Sequence, residues 1–142
     1  MKILIDSSEQ APWSFPGVAT TVVSLPTGDY APHGFADVCC VERKSIPDLV
    51  HTVIHDWRRF SRQLRRMAAM DVALIVVDGP VSALLEHKYT GDTNPLSVRG
   101  RLNSILLDYG VSTFFADNRT IAAEWVENLF RLYLDKIKAS KP

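Results

Sequence analysis

The sequence has no apolar run that approaches the length of a membrane-spanning helix. Such a helix needs about 20 apolar residues, whereas the longest run here, residues 72–77, has the length of a buried strand. The first residues, MKILID, bring an acid at once, and no small-residue cleavage site follows, which is unlike a signal peptide. These absences predict an intracellular, cytoplasmic protein that has no membrane partner.

Cysteine is scarce, and the two cysteines, Cys39 and Cys40, are adjacent. This spacing suits neither a zinc CxxC motif nor a disulfide framework. His51 and His55 have the i, i+4 spacing that can bind zinc, but the sequence offers no third ligand. The glycine-rich strand-to-helix turn that cradles phosphates is also missing, which sets aside a nucleotide-binding domain. Internal repeats, linkers and low-complexity segments are absent, so we expect residues 1–142 to form a single domain.

Charge of either sign is not in excess, because 16 basic residues balance 16 acidic ones. The distribution is nevertheless uneven. Residues 43–66 hold seven Arg or Lys and two acids, a local balance of 7 − 2 = +5. A neutral total does not cancel the field of a basic face, which attracts polyanions. A nucleic-acid partner is therefore compatible with the composition.

Apolar periodicity and turn residues predict alternating strands and helices. The strands are expected at residues 2–6, 20–25, 37–44, 72–77 and 111–116. The helices are expected at residues 46–54, 56–70, 96–109 and 120–138, with a mobile loop at 87–95. Ser45 is the expected N-cap of the first helix, and Gly110 is the expected C′ residue of the third. Elements interleaved in this way predict an α/β sandwich around a mixed sheet.

Five acids fall at predicted strand ends or turns, where an α/β sheet usually builds its site: Asp6, Glu9, Asp29, Glu42 and Asp48. Side chains alternate along a strand, so Glu42 and Lys44 should project to one face and Arg43 to the other. Asp29 and Glu42 are the expected ligand pair. Mg²⁺ keeps several waters, so two carboxylates and a backbone carbonyl suffice to hold it.

Phosphodiester hydrolysis is the chemistry that this cluster suits. A water acidified by the metal would be the nucleophile, and Lys44 could orient it or neutralise the scissile phosphate. Glu9 and Asp6 could complete a second metal position. Ordinary structural explanations also exist, since Asp29 follows a turn glycine and Asp48 occupies a helix-capping position. The residues alone leave both interpretations open.

The order of these residues resembles the nuclease domain of the XPF family, a branch of the PD-(D/E)xK nucleases. That family has Gly-Asp, a variable spacer, Glu-Arg-Lys, three residues and Asp, which match Gly28-Asp29, Glu42-Arg43-Lys44 and Asp48. Upstream, Asp6 and Glu9 match a strand-end pair of acids, although Ser8 stands where the family often has arginine. Downstream, Arg59-Phe60 with Gln63 resembles the family's Arg-Phe-x-x-Gln helix signature.

The resemblance implies a three-layer, restriction-endonuclease-like sandwich with a mixed sheet of about five to six strands flanked by helices. It implies an endonuclease that cuts DNA, often at branched or flap structures, with Mg²⁺ as cofactor and Mn²⁺ as a substitute. Asp29, Glu42 and the Arg43 carbonyl are the implied metal ligands, and Lys44 is catalytic. The remaining members of the expected catalytic set are Asp6, Glu9, Arg43 and Asp48.

Longer members of that family append helix-hairpin-helix modules that grip DNA, and we expect none in residues 1–142. A separate DNA-targeting protein is therefore a further expected partner. The alternative function is a catalytically weak DNA-binding or dimerisation module that serves as partner to another nuclease or repair protein. Decay of that kind usually removes Asp29, Glu42 or Lys44, and all of them are present.

A stripe of arginines is expected on the second predicted helix. At about 100° per residue, five arginines fall within an arc about 120° wide: Arg58, Arg59, Arg62, Arg65 and Arg66. No acid stands among them at i+3 or i+4, so we expect contacts with phosphate rather than a merely solvated face. Through the resemblance, Gln63 joins this DNA-binding set.

The last predicted helix carries apolar residues over an arc about 220° wide, more than one core requires. Either the helix is sandwiched within the domain, or part of its surface contacts a partner. XPF-type nuclease domains are typically dimeric, so the resemblance favours a two-fold homodimer through this helix. We expect Phe130 and Tyr133 to face outward there.

Overall fold

A computed structural model, which describes residues 1–141, shows one six-stranded sheet between two helical layers. The strands are β1 Lys2–Asp6, β2 Ala19–Val23, β3 Tyr30–Pro32, β4 Cys39–Lys44, β5 Val72–Asp78 and β6 Ser112–Ala116. The helices are α1 Ile46–His55, α2 Trp57–Ala68, α3 Val81–Leu85, α4 Pro95–Tyr109 and α5 Arg119–Ala139. The predicted three-layer sandwich around a mixed sheet is confirmed.

The strand order is β2-β1-β3-β4-β5-β6, and β3 alone runs antiparallel to its neighbours. Because β3 is reversed, its first residue lies at the same edge of the sheet as the last residues of β1, β4 and β5. The register places Ile5 opposite Tyr30, and Tyr30 opposite Val41. The topology therefore gathers the chain around Asp6, Asp29, Glu42 and Asp78 at one edge.

Each face of the sheet carries its own apolar core. On one face, α1, α2 and α4 pack through residues such as Leu49, Leu64 and Ile105, all of which are fully buried. On the other face, α5 and the loop after β1 form a second cluster with residues of the sheet. Ile75 belongs to the first cluster and Val76 to the second, so β5 is covered on both faces as its continuous apolar run predicted.

The structure confirms the predicted N-cap Ser45 and the predicted C′ residue Gly110, and it contains two short elements that the sequence did not predict. The Ser45 hydroxyl accepts the Asp48 N–H at 3.2 Å, and Gly110 caps α4 with φ +68°. β3 and α3 were not predicted, because three and five residues are too short to show a period. Among the helices of residues 1–141, none is long and apolar enough to cross a membrane.

Candidate active site

The main chain at this sheet edge continues the ladder beyond β3 and brings three acidic residues together. The Asp6 N–H donates to the Asp29 carbonyl at 2.8 Å, and the Asp29 N–H donates to the Val41 carbonyl at 2.8 Å. Asp29 thus lies between the ends of β1 and β4, directly beside Glu42. The ends of β1 and β4, which run in the same direction, therefore hold a residue that follows a turn.

Gly28 is required for this close approach. Its φ is +83°, a conformation that side chains disfavour. A Cβ atom at this position would lie 3.0 Å from the Cys40 Cβ and 3.1 Å from the Val41 carbonyl oxygen. Glycine therefore lets the turn cross β4 closely enough for Asp29 to reach Glu42.

Asp29 and Glu42 form the centre of the candidate site. The Asp29 Oδ2 atom accepts the Arg43 N–H at 2.8 Å. Burial, together with the negative charge of Glu42 and a hydrogen bond shared with that carboxyl group, raises the pKa of Asp29 to about 8, against the lowering effect of the Arg43 N–H. Glu42 is 7% exposed and Asp29 is partly buried, so two acids adjoin with their charge only partly compensated.

The faces of β4 are divided as the strand alternation predicted. The Lys44 Nζ atom lies 3.4 Å from the Glu42 Oε2 atom and 5.3 Å from the centroid of the Phe60 ring on α2. The Arg43 guanidinium lies on the opposite face, where Nη1 is 3.4 Å from the Glu9 Oε1 atom. Lys44 is therefore held beside the two acids by a carboxylate and by an aromatic ring.

The donor set suits a hard divalent cation that retains water ligands. Two carboxylates adjoin at Asp29 and Glu42, and the Arg43 carbonyl points toward the same side of β4 as its N–H, which contacts Asp29. Within the described residues, no three His, Cys, Asp or Glu side chains are placed to hold one metal ion. His51 and His55 on α1 have ring centroids 5.4 Å apart, and no third such side chain among the described residues joins them.

Asp6 lies at the same edge, but loop atoms occupy its carboxylate. Oδ1 accepts the Leu25 N–H at 2.7 Å, while Oδ2 accepts the N–H and the hydroxyl of Ser8. Burial opposes ionisation, yet these hydrogen bonds hold the pKa of Asp6 below its usual value. The Glu9 side chain is 8% exposed and faces Arg43. Asp48 is exposed in the first turn of α1.

All five arginines of α2 are exposed, and Gln63 is partly buried. Arg66 has a contact with the candidate site, because its Nε donates to the hydroxyl of buried Thr27 at 3.2 Å, two residues before Asp29. The expectation that no acid pairs with these arginines is wrong for Arg59. Its Nε lies 3.4 Å from the Asp56 Oδ2 atom, because Asp56 precedes the stripe at i−3.

Asp78 is a part of this region that the sequence pattern did not identify. It ends β5, and its side chain is 3% exposed. Its Oδ2 atom accepts the Arg43 Nε at 2.7 Å and the Trp13 Nε1 at 3.0 Å, with the Arg119 Nη1 at 3.5 Å. The only sequence signal was an acid directly after a buried strand.

Comparisons with known proteins agree on one family. A family profile described as "ERCC4 domain" matches residues 5–129. The structure of XPF from Aeropyrum pernix aligns with a TM-score of 0.75 and 25% identity, covering 98% of this chain and 68% of that one. XPF from the same organism in complex with DNA aligns with a TM-score of 0.73 and 27% identity, covering 95% and 66%.

A curated relative from Methanocaldococcus jannaschii carries the name of an ATP-dependent RNA helicase. It is 31% identical over 101 residues, which are 71% of this chain. The alignment spans 11% of the length of that relative. The likeness therefore concerns one region of a much longer protein.

Proposed function

This chain belongs to the ERCC4 domain family, and from that membership we propose that it is a metal-dependent endonuclease that hydrolyses phosphodiester bonds in DNA. The observation that carries the proposal is the juxtaposition of Asp29, Glu42 and Lys44 at one edge of an XPF-like sheet. Support for the substrate comes from the similar XPF protein of Aeropyrum pernix, whose structure includes DNA.

Asp29, Glu42 and the Arg43 carbonyl would hold Mg²⁺ or Mn²⁺. The ion supplies Lewis acidity, which lowers the pKa of water and offsets negative charge on the scissile phosphate. The Arg43 N–H orients Asp29 from 2.8 Å. Lys44, held near Glu42, can donate to a non-bridging phosphate oxygen or orient the attacking water. Asp6 has its carboxylate occupied by Leu25 and Ser8, which favours a role in the loop.

The arginines of α2 would contact the DNA backbone. Phosphate contacts position a protein on DNA without reading its sequence. Arg66 adjoins the turn that carries Asp29, so DNA lying along α2 would pass close to the acids. From family membership we also propose branched or flap DNA as the substrate.

We also propose that the chain forms a homodimer, but through residues other than those expected from the sequence. Phe130 is fully buried, and Tyr133 packs edge-on against Phe35. Both residues lie on the part of the apolar arc of α5 that packs against the sheet. The expectation that Phe130 and Tyr133 face outward is therefore wrong, because both pack against the core on this face of the sheet. Ile121, Trp125 and Leu132, which follow one line along α5, are between 37% and 50% exposed.

The exposed apolar residues flank the outer edge of β6, which pairs only with β5 among the described strands. On one side, Trp125 stacks on Phe114 with ring centroids 4.2 Å apart, and Ile121 lies one turn earlier. On the other side, Val81, Leu85 and Leu106 line a hollow with Ser112, Thr113 and Phe115 of β6. We propose that a second copy of the chain covers this β6-edge surface, defined by Val81, Leu85, Leu106, Ile121 and Trp125.

Cleavage of labelled duplex, flap, fork and single-stranded DNA, with and without Mg²⁺, tests the proposed function. We expect cleavage only with the metal, and a loss of at least about 100-fold in Glu42→Gln and in Lys44→Ala. Calorimetry should show weaker Mn²⁺ binding in Glu42→Gln and unchanged binding in Lys44→Ala. Glu124→Gln, an exposed acid on α5, is the matched control.

Two results would contradict the proposal. Wild-type cleavage by Glu42→Gln would remove this residue from the site. A wild-type protein that binds DNA without cutting any of these substrates would favour the alternative, a binding and dimerisation module.

A further inference from the structure

Behind the proposed metal site, on the sheet face opposite to Lys44, the buried carboxylate of Asp78 gathers three donors. They are the Arg43 Nε at 2.7 Å, the Trp13 Nε1 at 3.0 Å and the Arg119 Nη1 at 3.5 Å. The donors come from β4, from the loop after β1 and from the first turn of α5. Asp78 thus connects three segments that are distant in sequence.

Arg43 links this cluster to the proposed site, because its peptide groups belong to that site. Its N–H holds Asp29 at 2.8 Å. Charge-assisted hydrogen bonds to a carboxylate are short and directional, so the bond to Asp78 restrains the whole residue. Although burial disfavours the charged guanidinium, the hydrogen bond and the charge of Asp78 raise the pKa of Arg43, which keeps the anchor ionic.

Arg119 closes the loop over the same cluster. Its Nη2 donates to the carbonyl oxygens of Ala11 at 2.7 Å and Pro12 at 2.9 Å, while its Nη1 faces Asp78. The loop also carries Glu9, whose Oε1 lies 3.4 Å from the Arg43 Nη1. Arg119 therefore fixes the loop segment that places Glu9 against Arg43.

We propose that Asp78 and Arg119 are positioning residues for the divalent cation. They hold the Arg43 peptide and the Glu9 loop in the arrangement that keeps Asp29 and Glu42 ready for metal. Both act through Arg43 and the loop, and neither contacts substrate. The proposal rests on the proposed function, since it concerns the same site.

The test compares Asp78→Asn and Arg119→Gln with the wild type and with two exposed control variants, Asp108→Asn and Arg131→Gln. Calorimetry measures Mn²⁺ affinity, cleavage is titrated with Mg²⁺, and the melting temperature reports folding. Mutation of residues that orient metal ligands typically lowers metal affinity 10- to 100-fold. We expect a loss of about that size in both variants, with most cleavage restored at saturating Mg²⁺, and no change in the controls.

The outcomes separate this proposal from the proposed function. Unchanged Mn²⁺ affinity in the folded variants, alongside a wild type that binds Mn²⁺ and cuts DNA, overturns the positioning role alone. A wild type that binds no Mn²⁺ overturns both. If Asp78→Asn does not fold, Arg119→Gln decides by itself, because the Arg119 side chain is 44% exposed and its loss spares the core.

Discussion

At the scale of single residues, the pairing of Asp29 with Glu42 determines how the site responds to pH. The pKa of Asp29 is raised to about 8 by burial and by the neighbouring acid. Near neutral pH, the metal-free site therefore retains a proton. A divalent cation that binds there displaces this proton, so metal affinity should increase with pH.

We predict that the metal-free protein loses stability as the pH rises from about 4 to about 8. The folded state binds the Asp29 proton more tightly than the unfolded state does. This contribution is complete below the unfolded pKa of 3.8 and is lost as the pH rises through about 8. The slope is at most about 1.4 kcal/mol per pH unit. Urea denaturation in EDTA between pH 5 and pH 8.5 measures it.

Asp29→Asn is the control for this prediction, because its side chain cannot titrate. The variant should show a shallower decrease in the free energy of unfolding over the same pH range. An equal slope in wild type and variant would assign the pH dependence to other groups, and the raised pKa of Asp29 would then be wrong.

Sequence spacing predicted those parts of the candidate site that lie close together in the chain. Strand alternation separated Glu42 and Lys44 from Arg43, and the turn glycine before Asp29 was visible. The contacts of Asp78 were not predictable, because they join residues 35 and 65 positions apart. No periodicity or spacing rule connects such residues before the strand order is known.

At the scale of elements, the arginines of α2 fall into two groups, those that contact neighbouring side chains and those that do not. Arg59 and Arg66 contact neighbouring groups, namely the Asp56 carboxylate and the Thr27 hydroxyl. Arg58, Arg62 and Arg65 repeat at i, i+4 and i+7, so they form one exposed line without an ion pair among residues 1–141. This line is the part of the stripe that is free to contact phosphate.

We predict that Arg58→Ala, Arg62→Ala and Arg65→Ala together weaken DNA binding for every sequence. The slope of log affinity against log salt should decrease by roughly 0.9 for each phosphate that the variant no longer neutralises. Fluorescence anisotropy measures both quantities in a Lys44→Ala background, in which we expect cleavage to be lost. The matched control changes Arg131, Lys136 and Lys138 to Ala, which removes the same charge from exposed positions on α5. Equal effects of the two triple variants would contradict a specific role for α2.

Three elements, β3, β4 and α5, show where the apolar pattern could not predict the fold. The strand expected at residues 37–44 begins at Cys39, and β3 lies in a stretch of three residues after a turn. In α5, the width of the apolar arc was apparent, but not which part of it faces the sheet. That depends on packing against β5 and β6, which places Phe130 inside and Trp125 at the rim.

At the scale of the whole molecule, the proposed site and the β6-edge surface occupy different sides of one sheet. The site lies where β1, β4 and β5 end, whereas the surface flanks the outermost strand. A second copy could therefore cover the apolar residues without blocking the acids. Two copies would bring two α2 helices to one DNA molecule and raise affinity through effective concentration.

We predict that the protein has about twice its chain mass of 15.9 kDa by light scattering at micromolar concentration. Trp125→Asp should give a folded monomer with weaker cleavage, because it places a charge on the proposed interface. Val22→Asp is the matched control, since Val22 is 64% exposed on β2 at the opposite edge of the sheet. Phe130→Asp should instead unfold the chain, because Phe130 is fully buried. A wild type that stays monomeric at high concentration would refute the dimer and leave the β6-edge surface for another partner.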